Sequence, residues 1–285
     1  MPYWDRVAIV GVGLLGGSIG LALRERNLAR HVVGVGRRME SLRTAENRGA
    51  ITEASLDLPS AVADAQLVII GTPVETVVEQ VTRVAEAAQS GTLVTDVGST
   101  KQSIVEGVDR ALAGPLGLWT TFVGSHPLAG SHRAGVEFAR GNLFDGKTVV
   151  VTPSDETKPD AVAAIESLWR SVGANVVRMS PAEHDRAVAA TSHVPHVVAA
   201  ALAAATPTDY LPLTAAGWAD TTRVAAGDVE LWRQILSDNR EHTLAQLREF
   251  EKLIAAWVAA LERGDEAQLV HLLQQGKRQR DAVGS

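Results

Sequence analysis

Short valine- and isoleucine-rich runs alternate with amphipathic stretches over the first part of the chain. Residues 6–10 (RVAIV) form a run apolar enough for a strand buried on both faces, and residues 18–26 carry Ile19, Ala22 and Leu23 at helical spacing. The same alternation predicts strands at 31–36, 66–70, 92–97, 122–125, 147–151 and 175–179, and helices at 41–47, 75–88 and 158–171. Strands alternating with helices imply a parallel, doubly wound α/β sheet. After Met179 the strand pattern stops. Ser180-Pro181-Ala182-Glu183 joins a serine cap, a proline at the first helical position and a glutamate that completes a capping box. Everything beyond reads as helix, with Asp228 as a cap, one long helix over 229–262, and a last one to residue 282 capped by Asp265 after Gly264. The pattern therefore divides the chain into an α/β domain, 1–179, and a helical domain, 180–285. Leu247, Phe250, Ile254, Trp257 and Leu261 recur three and four apart along the long helix, a seam suited to a second chain. A thin helical domain has little core of its own, which favours shared burial in a homodimer.

Composition narrows the function classes. The chain has 285 residues, 46% hydrophobic and 21% charged, as in an ordinary globular protein. A net charge of −6 without a basic cluster argues against a nucleic-acid partner. With no cysteine, disulfides and thiolate metal sites are ruled out, and no metal site is expected. The N-terminus does not read as a signal peptide, and no uninterrupted apolar run is long enough for a membrane span. The expectation is a cytoplasmic enzyme with no membrane partner.

The first strand runs into Gly11-Val12-Gly13-Leu14-Leu15-Gly16, and a helix follows. In that order the glycines suit a dinucleotide: Gly11 for the sharp turn, Gly13 for approach of the pyrophosphate, Gly16 for packing of helix on strand. The helix N-terminus, with Leu14 and Leu15 in its first turn, faces the phosphates. An acid closing the second strand would hold the ribose of NAD; the chain has Gly36-Arg37-Arg38 there instead. Two guanidiniums in place of the acid favour NADP over NAD. Ligands bind beyond the carboxyl ends of such strands. Thr72 with Pro73, Ser99 and His126 follow predicted strand ends, so all face one crevice, and His126 is the candidate proton acceptor there. His193 and His196 lie three apart on one predicted helix face. Asp220 and Arg223 read either as a local ion pair or, for Arg223, as a bidentate clamp for a substrate carboxylate.

These residues assemble into a known pattern. GVGLLGGS (11–18), TP (72–73), TDVGSTK (95–101), GSHPLAG (124–130), NLFDGK (142–147), SPAEHD (180–185), SHVPH (192–196) and DTTR (220–223), followed by Trp232, closely resemble the prephenate/arogenate dehydrogenases of tyrosine biosynthesis over nearly the whole chain. The resemblance implies a Rossmann-like domain, an all-helical dimerisation domain, and NAD(P)-dependent oxidative decarboxylation of a cyclohexadienol. It implies His126 taking the proton of the substrate 4-hydroxyl, Ser99 assisting near the nicotinamide, and Arg223 as carboxylate anchor. Asp220, His193, His196 and Trp232 would lie at or near the substrate. Some relatives carry a gating glutamate two residues after the glycine of HPxAG, where this chain has His132. The paired histidines of SHVPH lean toward prephenate rather than arogenate. A β-hydroxyacid dehydrogenase or imine reductase joins similar domains, but the hydroxyacid enzymes use a lysine on the first helix of the second domain. No lysine lies between Ser180 and His196.

Overall fold

The structure of the chain is a computed structural model, described here for residues 4–130 and 133–284. The α/β part runs β1 (Trp4–Val10), α1 (Leu14–Glu25), β2 (Ala29–Val35), α2 (Met39–Asn47), β3 (Glu53–Ser55), α3 (Leu58–Val62) and β4 (Leu67–Ile70). It continues through a 3-10 turn (Val74–Thr76), α4 (Val77–Ala87), β5 (Thr92–Asp96), α5 (Gln102–Ala111), β6 (Thr120–Pro127), β7 (Thr148–Thr152), α6 (Pro159–Ser171) and β8 (Asn175–Arg178). The strands form one eight-stranded sheet in the order β3-β2-β1-β4-β5-β6-β7-β8. Along β1 and β4 every second residue feeds the opposite face. Val7, Ile9, Leu67 and Ile69 enter one core with Ile19, Leu23 and Trp169, while Ala8, Val10, Val68 and Ile70 enter the other with Val81 and Ile104. Both faces are covered, so these strands read as unbroken apolar runs.

The sheet departs from the all-parallel expectation at one place. Strands β3 through β6 are parallel, but β7 pairs antiparallel with β6, and β8 then runs parallel to β7. A parallel neighbour needs a crossover, usually a helix. The described part of the β6–β7 connection holds only the 3-10 turn Val136–Phe138, which packs against α1: a Cβ on Gly17 would stand 2.8 Å from Val136 Cγ2. The elements β3 and α3 were not foreseen. They are short, and β3 is an edge strand with Glu53 exposed, so no apolar run announces it.

The helical part comprises α7 (Pro181–Val188), a π-turn (Ala189–His193), α8 (Val194–Ala205), α9 (Ala216–Thr222), α10 (Val229–Asp238), α11 (Arg240–Arg263) and α12 (Glu266–Asp281). The capping box forms, with Glu183 N donating to Ser180 Oγ and Glu183 Oε2 accepting from Ser180 N. The single helix expected over 229–262 is broken. Asn239 turns inward, is nearly fully buried, donates to the Asp185 carbonyl at 2.7 Å and lies 3.1 Å from His193 Nδ1. Its ψ of 36° ends α10, and α11 restarts at the next residue. The continuous stretch Pro181–Ala205 is long and apolar enough to cross a membrane by length and composition alone. It nevertheless buries His184, Asp185 and His193. That polar cargo suits packing within a protein rather than contact with lipid. Of the α11 seam, Leu247, Phe250 and Trp257 are half-buried, whereas Ile254 and Leu261 are 46% and 64% exposed.

Candidate active site

The glycine turn has the shape a dinucleotide needs. Gly11 has φ +94°, and a Cβ there would stand 2.7 Å from the Gly71 backbone. A Cβ on Gly16 would meet the Gly11 carbonyl at 2.3 Å, so α1 sits directly against the turn. Around Gly13 nothing lies within 4 Å, leaving its approach open. Gly13 is also the N-cap of α1 and offers no side-chain acceptor, and no acid stands in the first turn beside Leu14 and Leu15. The free N–H groups and the positive end of the helix dipole therefore suit a pyrophosphate. Gly36 follows β2, its N–H bonded to the Ser55 carbonyl, and Arg37 and Arg38 are exposed with neither guanidinium paired among the described residues. Thr72 and Pro73 follow β4, and Thr76 Oγ1 donates to Thr72 Oγ1 at 3.0 Å.

At the carboxyl ends of β5 and β6 lies a buried ionic cluster. Asp96 closes β5 and accepts from Gly98 N (2.8 Å) and Ser125 N (3.0 Å). The loop returns so that Lys101 Nζ pairs with Asp96 Oδ2 and donates to the Ser125 carbonyl at 3.1 Å, with both charged side chains fully buried. Burial lowers the Lys101 ammonium pKa, and Asp96 pulls it back only in part. Ser99 is half-buried on this loop. His126 lies within β6 rather than after it, one residue beyond Ser125. Its Nδ1 is 2.8 Å from His184 Nε2, and His184 Nδ1 is 2.7 Å from Asp185 Oδ1. Burial pushes His126 well below the ordinary histidine value, and His184, Lys101 and His193 add to that shift. Burial opposes ionisation of Asp185, yet hydrogen bonds from His184, Gln102 N and Lys101 N outweigh it and hold the carboxyl below its usual range.

The remaining candidates gather on the helical side. His193 ends the π-turn, buried against Asn239 and Thr243, and desolvation takes its pKa down to about 4 against the pull of Asp185. His196 stacks on Trp232 with ring centroids 3.6 Å apart and planes 14° apart, and His193 meets the same indole edge-on at 6.1 Å. Burial also lowers the pKa of His196, and its Nδ1 is buried without a hydrogen-bond partner among the described residues. Asp220 and Arg223 are both exposed, and they form no ion pair with each other. The 3-10 turn Arg223–Ala226 leads into Gly227, where a Cβ would stand 2.6 Å from Trp232 Nε1 and 3.2 Å from His196 Cε1. Arg223 is thus tied to the His196–Trp232 pair through one turn of backbone. His132 lies outside the described residues. Among those residues no group of three His, Asp or Glu side chains is disposed to hold a metal ion.

Comparison with known proteins decides the family. Residues 19–178 match the prephenate dehydrogenase nucleotide-binding domain, and residues 180–275 match the prephenate dehydrogenase dimerization domain. The chain belongs to the prephenate dehydrogenase family. A prephenate dehydrogenase of Bacillus subtilis is 35% identical over 98% of this chain and 76% of its own length. The crystal structure of Aquifex aeolicus prephenate dehydrogenase with hydroxyphenyl propionate and NAD+ superposes with a TM-score of 0.89 at 30% identity, covering 98% of each chain. A Synechocystis arogenate dehydrogenase gives a TM-score of 0.83 at 30% identity, covering 98% of this chain and 99% of that one. This oxidoreductase therefore pairs a nucleotide-binding domain with the family's helical dimerization domain.

Four residues of this prephenate dehydrogenase-family site were not singled out from the sequence: Asp96, Lys101, His184 and Asp185. Each lies inside a motif that was noticed, TDVGSTK or SPAEHD, but charged residues at a strand end and in a helix read as solvated. The one available signal was the adjacent His184-Asp185 pair in a helix that must face the sheet.

Proposed function

We propose that this chain catalyses the NAD(P)-dependent oxidative decarboxylation of prephenate to 4-hydroxyphenylpyruvate, with arogenate as the alternative substrate. The reading rests chiefly on His126. Burial lowers its pKa well below the ordinary value, which favours the neutral imidazole, and it lies at the carboxyl end of β6 in a nucleotide-binding sheet. The nicotinamide, when bound, supplies the hydride acceptor. Loss of hydride leaves positive charge on the carbon bearing the hydroxyl, and His126 stabilises that charge by accepting the hydroxyl proton. The ring carboxylate leaves as carbon dioxide and the ring becomes aromatic. The electron pair of the broken carbon–carboxylate bond enters the ring, and the proton taken by His126 returns to the phenolic oxygen. Ser99 assists at the hydroxyl, Arg223 clamps a substrate carboxylate with Asp220 beside it, and His193, His196 and Trp232 shape the substrate side. Gly11, Gly13, Leu14, Leu15 and Gly16 cradle the pyrophosphate, with Thr72 and Pro73 alongside. We take the domain division at 179/180 and a cytoplasmic setting as part of the same reading. Mixing the protein with prephenate and NADP should produce reduced cofactor, read by absorbance. No reduction with prephenate or with arogenate, using either NADP or NAD, overturns the proposal.

The cofactor preference rests on Arg37 and Arg38, exposed beside Gly36 and without an ion pair among the described residues. A charged hydrogen bond to a 2′-phosphate contributes about 1.5–3 kcal/mol. Arg37→Ala is expected to weaken NADP roughly tenfold or more while leaving NAD nearly unchanged. Equal loss of both cofactors in titrations would remove the phosphate argument.

The assembly is a homodimer through the helical domain. Val258, Ile254 and Leu261 are left exposed on α11, and Leu273 and Val270 on α12, more apolar surface than a lone helical layer sustains. Light scattering at micromolar concentration should give twice the chain mass, and Ile254→Asp with Leu261→Asp should give monomers. A wild-type monomer at that concentration contradicts it.

A further inference from the structure

We propose that Asp185 is the positioning residue that assembles the site, fixing through His184 the tautomer of His126 and through the backbone of α5 the loop that carries Ser99. The inference rests on the reading of His126 as the proton acceptor.

A carboxylate only accepts hydrogen bonds, so the proton between Asp185 Oδ1 and His184 Nδ1, 2.7 Å apart, belongs to the imidazole. His184 is fully buried. In its neutral form the Nδ1 proton leaves Nε2 with a bare lone pair. That nitrogen is 2.8 Å from His126 Nδ1, which must therefore donate. His126 Nε2 is left without a proton and free to accept one. The chain of bonds thus selects the one neutral tautomer in which His126 can act as base, because orientation of an imidazole by a second group sets which nitrogen is available. Since the reaction returns the proton to the product, His184 and Asp185 have no proton to carry away. Their work is orientation.

The same carboxylate acts on the other catalytic loop. Helix α5 has no capping side chain of its own at Lys101. Asp185 supplies the missing acceptors from the helical domain, taking Lys101 N on Oδ1 at 2.8 Å and Gln102 N on Oδ2 at 2.9 Å. Ser99 stands two residues before Lys101, so its placement depends on this cap. The Asp185 main chain is in turn held by Asn239 Nδ2 at 2.7 Å. The groups that face His126 from the neighbouring elements are His184 on α7, Lys101 ahead of α5 and His193 on the π-turn.

The test uses the full-length protein. In ¹⁵N-histidine NMR near neutral pH, His126 and His184 should each show a protonated Nδ1 and a pyridine-like Nε2. Asp185→Asn leaves one acceptor oxygen for three donors, and turnover is expected to fall roughly 10²-fold or more with the NADP dissociation constant unchanged. A second pair keeps the test independent of that variant's folding. In His184→Gln the amide oxygen still accepts from His126, and turnover should stay within about tenfold of wild type; His184→Phe has no acceptor and should fall much further. A merely structural role would lower the melting temperature of these variants and leave the tautomer and the pH profile of kcat where they were. A protonated Nε2 on His126 in the wild type, or wild-type turnover in His184→Phe, overturns the proposal. If the wild type reduces no cofactor with either substrate, the functional reading fails, while the NMR still decides the tautomer chain.

Discussion

His126→Asn is expected to lower turnover by about 10²–10⁴-fold while cofactor binding stays intact. Asparagine places an amide near the position of Nδ1, so the bond to His184 Nε2, 2.8 Å in the wild type, can persist and β6 keeps its place. What disappears is the second ring nitrogen, the atom that the bond from Nδ1 to His184 leaves able to accept a proton. The glycine turn, Thr72 and the Arg37-Arg38 pair are untouched, so titration with NADP should give the wild-type dissociation constant. The pH dependence adds an independent check. In the proposed mechanism the unprotonated form is the active one, and burial with three cationic or imidazole neighbours holds the His126 pKa well below 6.5. Activity should therefore persist as pH falls through 6.5 and be lost only nearer the depressed value. The variant should show no acid limb from this group. Near-normal turnover with an unchanged profile would transfer the role to another residue.

The burial of neutral histidines has a cost that appears only in acid. His193 is held at about 4 in the folded chain and returns to the ordinary value when unfolded. Between those values the unfolded state binds the extra proton, so stability falls as pH drops, by up to about 1.4 kcal/mol per pH unit for one such group.

The nucleotide-binding half was legible because its signals are local. Val7 to Val10 and Leu67 to Ile70 are apolar throughout since both faces of the sheet are covered, and the glycines occupy a turn whose geometry few other residues fit. The antiparallel β7 was hidden because direction depends on the connection, not on the composition of the strand. The break at Asn239 was hidden for a similar reason. An asparagine within a good amphipathic pattern reads as a surface position until its side chain is seen bonding the Asp185 carbonyl, 54 residues away. His126 and Ser99 drew notice in the sequence because they stand at or near the ends of apolar strand runs. Asp185 and His184 were passed over because their meaning lies in contacts 84 and 58 residues distant in sequence, with Lys101 and His126.

Lys101→Met is expected to be the most destabilising single substitution at this site. The ammonium and Asp96 are both fully buried, and methionine matches the lysine stem in length while deleting the charge. Asp96 keeps its bonds from Gly98 N and Ser125 N but loses its counter-ion. An uncompensated buried carboxylate costs about 3–5 kcal/mol, which lowers the melting temperature by roughly 5–15 °C. The loss concentrates where Asp96 ties β5 to β6 through Ser125 N, the residue before His126, so turnover should fall with it. Neutralising the partner separates charge from packing. In Asp96→Asn with Lys101→Met neither member of the pair carries a charge, and the double variant should be more stable than Lys101→Met alone by about 1–3 kcal/mol. Calorimetry and denaturant titration measure both. A Lys101→Met variant within about 0.5 kcal/mol of wild type would show that water or a rearranged donor reaches Asp96, and that the pair is not the keystone of the two strand ends.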